Sequence, residues 1–220
     1  MIKIISFDLD GTLVKKEYTD IIWLKALPRI YSQEKNISFE KAESFIRKKY
    51  NEIGEERKEW YDINYWFNRF NLKSSWKKLL KNYSKKIELF SDVKKVLNKL
   101  YDKYDLIISS NARREFIDIE LENTRIEGYF QGIFSSTSDF NTVKKNPDFY
   151  KKILKRLNVK KDEIVHIGDS EKFDYLVPKK VGITSFLINR RREIKKPYSV
   201  ENLKEFRSRI SKINKDKKQG

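Results

Sequence analysis

The chain has no cysteine and one histidine, His166. Disulfides, thiolate zinc sites and cysteine nucleophiles are thereby excluded, as are metal centres built from clustered imidazoles, and a Ser-His-Asp hydrolase is disfavoured. No stretch approaches the ~20 apolar residues of a membrane-spanning helix, and the apolar opening MIKIISF meets Asp8 too early for a signal peptide. Internal repeats and low-complexity linkers are also missing. The expectation is a soluble cytoplasmic protein, monomer or homodimer, whose chemistry runs on carboxylates, hydroxyls, lysines and a hard metal ion.

Charge is abundant. Lys and Arg total 49 against 32 Asp and Glu, a formal net charge of +17 over 220 residues. Such an excess suits a polyanionic partner, so a nucleic-acid-binding protein is one reading. The basic residues are scattered, however, apart from RRR at 190–192 and the last dozen residues. A positive field also steers phosphorylated small molecules, and a charged fraction of 37% rich in Lys and Glu resembles the surface of a heat-adapted protein.

Short apolar runs alternate with helical periods. Ile2 to Leu9, 104–111, 132–139, 163–170 and 182–188 read as buried strands. Between them SDVKKVLNKLY carries Val93, Val96, Leu97 and Leu100 on one helix face behind a Ser91 cap, and NPDFYKKILKRLN opens with Asn146 as cap and Pro147 at the first helical position. Strand and helix in alternation imply an α/β fold, a parallel sheet with helices on both faces. Residues 15–88 break the rhythm with four helical segments (Asp20 to Tyr31, Ser38 to Tyr50, about Glu55 to Phe70, and Ser75 to Ile87) that hold all four tryptophans. Most of these aromatics are expected in a small core, with one or two facing a substrate. Leu203, Phe206, Ile210 and Ile213 suggest a final helix docking on the sheet, followed by a basic tail at 214–220.

Ligands of open parallel sheets bind at the carboxyl ends of the strands. Those ends deliver ISFDLDGTLV, then SSN, a lysine region at TVKKNP, and GDSEKFD. In an extended chain Asp8 and Asp10 share a face, and carboxylates so crowded ask for a cation or an acid/base duty. In this ordered set the chain resembles the haloacid dehalogenase (HAD) superfamily, with the motif D-x-D-G-T at Asp8 to Thr12. The resemblance covers residues 1–14 and about 89–213 as a Rossmann-like α/β core, with 15–88 as a small all-helical cap domain.

The resemblance implies a Mg2+-dependent phosphomonoester hydrolase acting on a small phosphorylated metabolite, phosphoglycolate being one example. Asp8 is then the nucleophile, forming an aspartyl phosphate, and Asp10 the acid/base and, through its carbonyl, a metal ligand. Asp169 and Asp174 join Asp8 and Asp10 as the metal set. Ser110 and Thr12 contact the phosphoryl group, and Asn111 shapes the pocket. The lysine is counted from Pro147 back to Lys144, which is expected to neutralise Asp8 and the phosphoryl oxygens. Arg113 and Arg114 either reach the substrate or are solvated, and His166 reads as a core residue. A phosphomutase would share every group named, and a basic nucleic-acid-binding protein on the same scaffold is the alternative from another class.

Overall fold

The computed structural model describes residues 1–190 and 196–219, with the side chains of 215–219 left aside. The expected basic cluster therefore falls partly outside the described residues, at 191 and 192. Among those described, six strands form one parallel sheet in the order β3-β2-β1-β4-β5-β6. They are β1 (Ile4–Phe7), β2 (Asp105–Ser110), β3 (Gly132–Ser135), β4 (Ile164–Gly168), β5 (Thr184–Ile188) and the short edge β6 (Ser199–Val200). Each expected strand is present but shorter. The sequence patterns did not mark β6, because two residues carry no periodicity.

The chain passes from β1 to β2 and β3 on one side, then returns to lay β4 on the other side of β1. That reversal opens a crevice at the carboxyl end of β1, the switch point where open α/β sheets bind ligands. The registers Phe7↔Ile108 and Phe7↔Ile167 bring three strand ends level. Asp8, Ser109 and Gly168 follow them directly.

Helices cover both faces. A helical insert follows β1: α1 (Glu17–Ile21), α2 (Leu27–Lys35), α3 (Phe39–Ile53), α4 (Ile63–Arg69) and α5 (Trp76–Tyr83). The sheet's own helices are α6 (Val93–Tyr101), α7 (Arg114–Thr124), α8 (Pro147–Leu157), α9 (Val177–Val181) and α10 (Leu203–Gln219). Helix α10 runs through the expected tail and packs Phe206 edge-on against Phe7 at 6.0 Å. Trp66 is fully buried at the centre of the insert's own apolar cluster, with Tyr18, Ile22, Leu27 and Ile63.

Local chemistry explains the departures from the expected boundaries. The segment read as one helix from Glu55 to Phe70 breaks at Asp62, whose carboxylate accepts from the Tyr65 N–H at 3.0 Å and starts α4 afresh. Ser91 is not the cap of α6. Asp92 holds that position, and its carboxylate instead accepts from the Leu203 N–H and from Arg190. Two π-helical turns, Ile22–Ala26 and Glu171–Leu176, each end two residues before a proline, Pro28 and Pro178. A proline inside a continuing helix has no N–H to give and crowds the preceding turn, and a widened turn accommodates it. Among the described residues no helix is long and apolar enough to cross a membrane.

Candidate active site

Asp8 leaves the end of β1 almost fully buried, its N–H donating to the Ile167 carbonyl at 2.9 Å. The Thr12 hydroxyl donates to one carboxylate oxygen at 3.2 Å, and an ammonium donates to the other at 2.5 Å. That ammonium belongs to Lys145. It also contacts Asp174 and donates to the Ser109 carbonyl at 3.2 Å. Lys144, the expected partner, is elsewhere. It lies over the Phe173 ring at 4.9 Å and pairs with Glu55 at 3.1 Å and Glu56 at 3.3 Å, on the insert. The cause is the backbone: the Asn111 side-chain carbonyl takes the Lys145 N–H at 2.7 Å, and along the non-helical approach to α8 adjacent side chains diverge. The contact with Asp8 expected of Lys144 is made by its neighbour Lys145.

Carboxylate oxygens of Asp8, Asp169 and Asp174 all lie within 4.8 Å of one another. Burial, with Asp174 and Asp169 nearby, pushes the Asp8 carboxyl up to about 8 despite Lys145. So much negative charge, offered only by hard oxygen donors, fits a divalent cation such as Mg2+. Lys16, which the motif reading passed over, sits beside this group with its ammonium 2.5 Å from Asp169. Gly11 packs against Asp169 and Lys16 and has no room for a side chain. Its φ is +81°, and a Cβ there would fall 2.4 Å from an Asp169 oxygen.

Asp10 turns from the three carboxylates toward the insert, where the Thr19 hydroxyl approaches it at 3.4 Å. Burial raises its pKa to about 6, Lys16 opposing and Asp169 reinforcing. Glu120 of α7 faces it, wholly buried and held well above the usual carboxyl range by burial and by Asp10. Sequence reading missed Glu120, although its spacing from Phe116 and Thr124 places it on the buried stripe of α7.

Behind Lys145 runs a buried polar chain. Asp174 is held well below its usual range: burial opposes ionisation, but Lys145 and His166 outweigh it. Burial keeps His166 neutral despite Asp174, so its Nε2–H donates to the Asp174 carboxylate at 3.0 Å and Nδ1 faces the Ser6 hydroxyl at 2.8 Å. His166 is thus a core residue that also orients Asp174. Ser110 is buried at the end of β2, its Oγ accepting from the Ala112 N–H at 3.0 Å. Arg114 is tied to Asp139 at 2.5 Å, and Arg113 to Asp62 at 3.0 Å and Glu115 at 2.9 Å.

Beside Asp10 and Asn111 a cavity of about 320 Å³ opens between the insert and α7, walled by Trp23, Tyr50, Trp60, Tyr61 and Phe116.

A family model for haloacid dehalogenase-like hydrolases matches residues 5–188. A HAD phosphatase from Thermococcus onnurineus superposes with a TM-score of 0.83 at 27% identity, covering 95% of this chain and 98% of that one. A 2-haloacid dehalogenase from Pseudomonas syringae shares the fold, with a TM-score of 0.69 at 16% identity over 96% and 99%. The GMP/IMP nucleotidase YrfG of Escherichia coli is 21% identical over 165 residues, 74% of this chain and 72% of its own length.

Proposed function

Since the chain belongs to the haloacid dehalogenase-like hydrolases, we propose that it is a phosphomonoester hydrolase working through an aspartyl phosphate on Asp8. The observation that carries this reading is the Asp8 carboxylate itself. It is buried, gripped by Lys145 and Thr12, and adjoined by two more carboxylates, with a second acid two residues on. Displacing a halide needs no proton donor, so Asp10 weighs toward a phosphate ester over a haloacid. The phosphatase from Thermococcus onnurineus and the Escherichia coli nucleotidase support the same choice.

In this reading Asp8 attacks phosphorus as the bond to the ester oxygen breaks, and Asp10 gives that oxygen its proton. Water then attacks the aspartyl phosphate while Asp10 takes a proton back, and Asp8 is restored. A carboxyl poised near 6 suits both transfers. Lys145 takes the part first assigned to Lys144, neutralising Asp8 and the phosphoryl oxygens as a point charge. Thr12 orients the nucleophile, Ser110 grips the phosphoryl group, and Asn111 fixes the Lys145 backbone. Asp8, Asp169, Asp174 and the Asp10 carbonyl would hold Mg2+, which shields the attacking carboxylate from the anionic ester. The insert acts as the cap that closes over the site.

Phosphate release from a panel of phosphorylated metabolites tests the reading. We expect release that needs Mg2+, disappears in Asp8→Asn, and leaves trapped phosphoprotein in Asp10→Asn. Release that survives Asp8→Asn would refute the covalent route.

A further inference from the structure

The cavity next to Asp10 bears on what is hydrolysed, and the argument rests on the phosphatase reading above. We propose that the leaving group of the substrate carries a flat aromatic ring, a nucleobase or an aryl group, seated among Trp23, Tyr50 and Trp60.

Asp10 is the acid that would protonate the leaving oxygen, so the leaving group emerges on the side where Asp10 and Asn111 border the cavity. Its volume, about 320 Å³, falls within the range of small-molecule sites, ~300–1,000 Å³. The rings around it are held by one another. Trp23 stacks on Phe116 at 5.5 Å, Tyr50 meets Trp23 edge-on at 6.1 Å and Trp60 at a tilt at 5.7 Å, and buried Trp66 backs Tyr50 at 4.7 Å. The Tyr50 hydroxyl donates to the Trp23 carbonyl at 3.3 Å, tying two helices of the insert across the same wall.

The polar groups on the wall face other duties. Arg113 is paired with Asp62 and Glu115, Lys16 with Asp169, and the Tyr61 hydroxyl donates to the Glu55 carbonyl at 3.1 Å. A compact anionic leaving group such as glycolate would meet ring faces and two cations already paired. A flat ring would replace water on those faces and could lie parallel or edge-on to the indoles, as aromatic pairs prefer. Stacking one base on one protein ring is worth roughly 5- to 150-fold in affinity.

The test compares a 5′-nucleotide with ribose 5-phosphate, which lacks only the base, and phenyl phosphate with glycerol 3-phosphate. In the full-length protein with Mg2+ we expect kcat/KM for the ring-bearing member of at least one pair to exceed its partner at least tenfold. The pair that shows it tells nucleobase from aryl group. That ratio should fall at least fivefold in Trp60→Ala, chiefly through KM, and recover in Trp60→Phe. Equal rates within both pairs, or a ratio untouched by both Trp60→Ala and Trp23→Ala, overturn the proposal and leave the phosphatase reading standing. If no ester is hydrolysed, that reading fails. Calorimetric titration with guanosine and with phenol, which carry the ring without phosphate, then decides the cavity alone: binding weakened at least fivefold in Trp60→Ala supports a ring site, and no binding of either refutes it.

Discussion

Replacing Lys145 and Lys144 in turn by methionine, which keeps most of the side-chain volume, separates the two adjacent lysines. The Lys145 side chain is 1% exposed and contacts Asp8 and Asp174, themselves 8% and 1% exposed. Removing its charge strands two carboxylates in a site where desolvation is already the largest influence on Asp8. Breaking a buried pair this way costs ~3–5 kcal/mol. Were the same charge lost to the transition state, kcat/KM would fall roughly 10²- to 10⁴-fold. Lys144 differs: its partners Glu55 and Glu56 have side chains 67% and 74% exposed, so solvent screens both pairs. Its loss should change kcat/KM by less than about fivefold, mostly through KM if closure of the insert is eased. Steady-state phosphate release, with urea unfolding to verify that each variant folds, reads both. If Lys144→Met lost over a hundredfold while Lys145→Met kept near-normal kcat/KM, the assignment of the buried ammonium would be wrong.

Three further outcomes follow from the same site. The Asp8 carboxyl is raised in the fold, to about 8 from 3.8, so the stability it removes is nil below about pH 4, grows between pH 4 and 8, and levels off above about 8. Metal-free Asp8→Asn should therefore melt above the wild type by a margin that widens from about pH 4 to about pH 8, at most ~1.4 kcal/mol per unit, and a margin that narrows over that range would refute the account. Mg2+ at a hundred times its Kd should stabilise the wild type by ~2.7 kcal/mol, some 5–10 °C in a chain of this size, and chelation should abolish both this increment and activity. Scanning calorimetry in which Asp169→Asn kept the full increment would exclude that residue as a ligand. Gly11→Ala should lose activity at least ~100-fold and stability by ~1–3 kcal/mol, because φ is +81° and the new Cβ collides with Asp169; normal kinetics would show that the turn relaxes freely.

The parallel sheet and the acids at strand ends were legible because both depend on patterns that one sequence carries. Apolar runs mark strands, and a buried strand that ends in Asp-x-Asp-Gly has few uses. The helical insert was visible for the same reason, its stripes of aromatics having no strand period. What stayed hidden depends on where the backbone turns. Nothing in KKNP distinguishes two lysines until Asn111 captures the N–H of the second. Glu120 and its helix went unread, although the spacing of Phe116, Glu120 and Thr124 places the acid inside. The aromatic cavity needed three dimensions, since Trp23 and Trp60 are brought together only around the Tyr50 ring, which both approach.

Asp169 and Asp174 carry the same charge, yet the protein treats them differently, and lone-pair counting shows how. One Asp174 oxygen faces both Lys145 and His166, and the other accepts from the Ser170 N–H at 2.9 Å. Of the roughly four acceptor positions of a carboxylate, three are taken by the protein itself. Asp174 is pinned, and its negative charge holds Lys145 in place as much as it attracts a metal. The Gly168 backbone admits this arrangement only because it has no side chain, since a Cβ would fall 2.2 Å from the Asp174 carboxyl carbon. Asp169 is a quarter exposed and pairs with Lys16, itself half exposed, so its oxygens stand closer to solvent than those of Asp174. In the proposed mechanism Asp174 therefore anchors Lys145 as well as adding its charge to the metal set, and Asp169 is the more open of the two acids. That division follows from the π-helical turn before Pro178, within which Asp174 is carried back beneath the end of β4 while Asp169 stays at the mouth of the crevice.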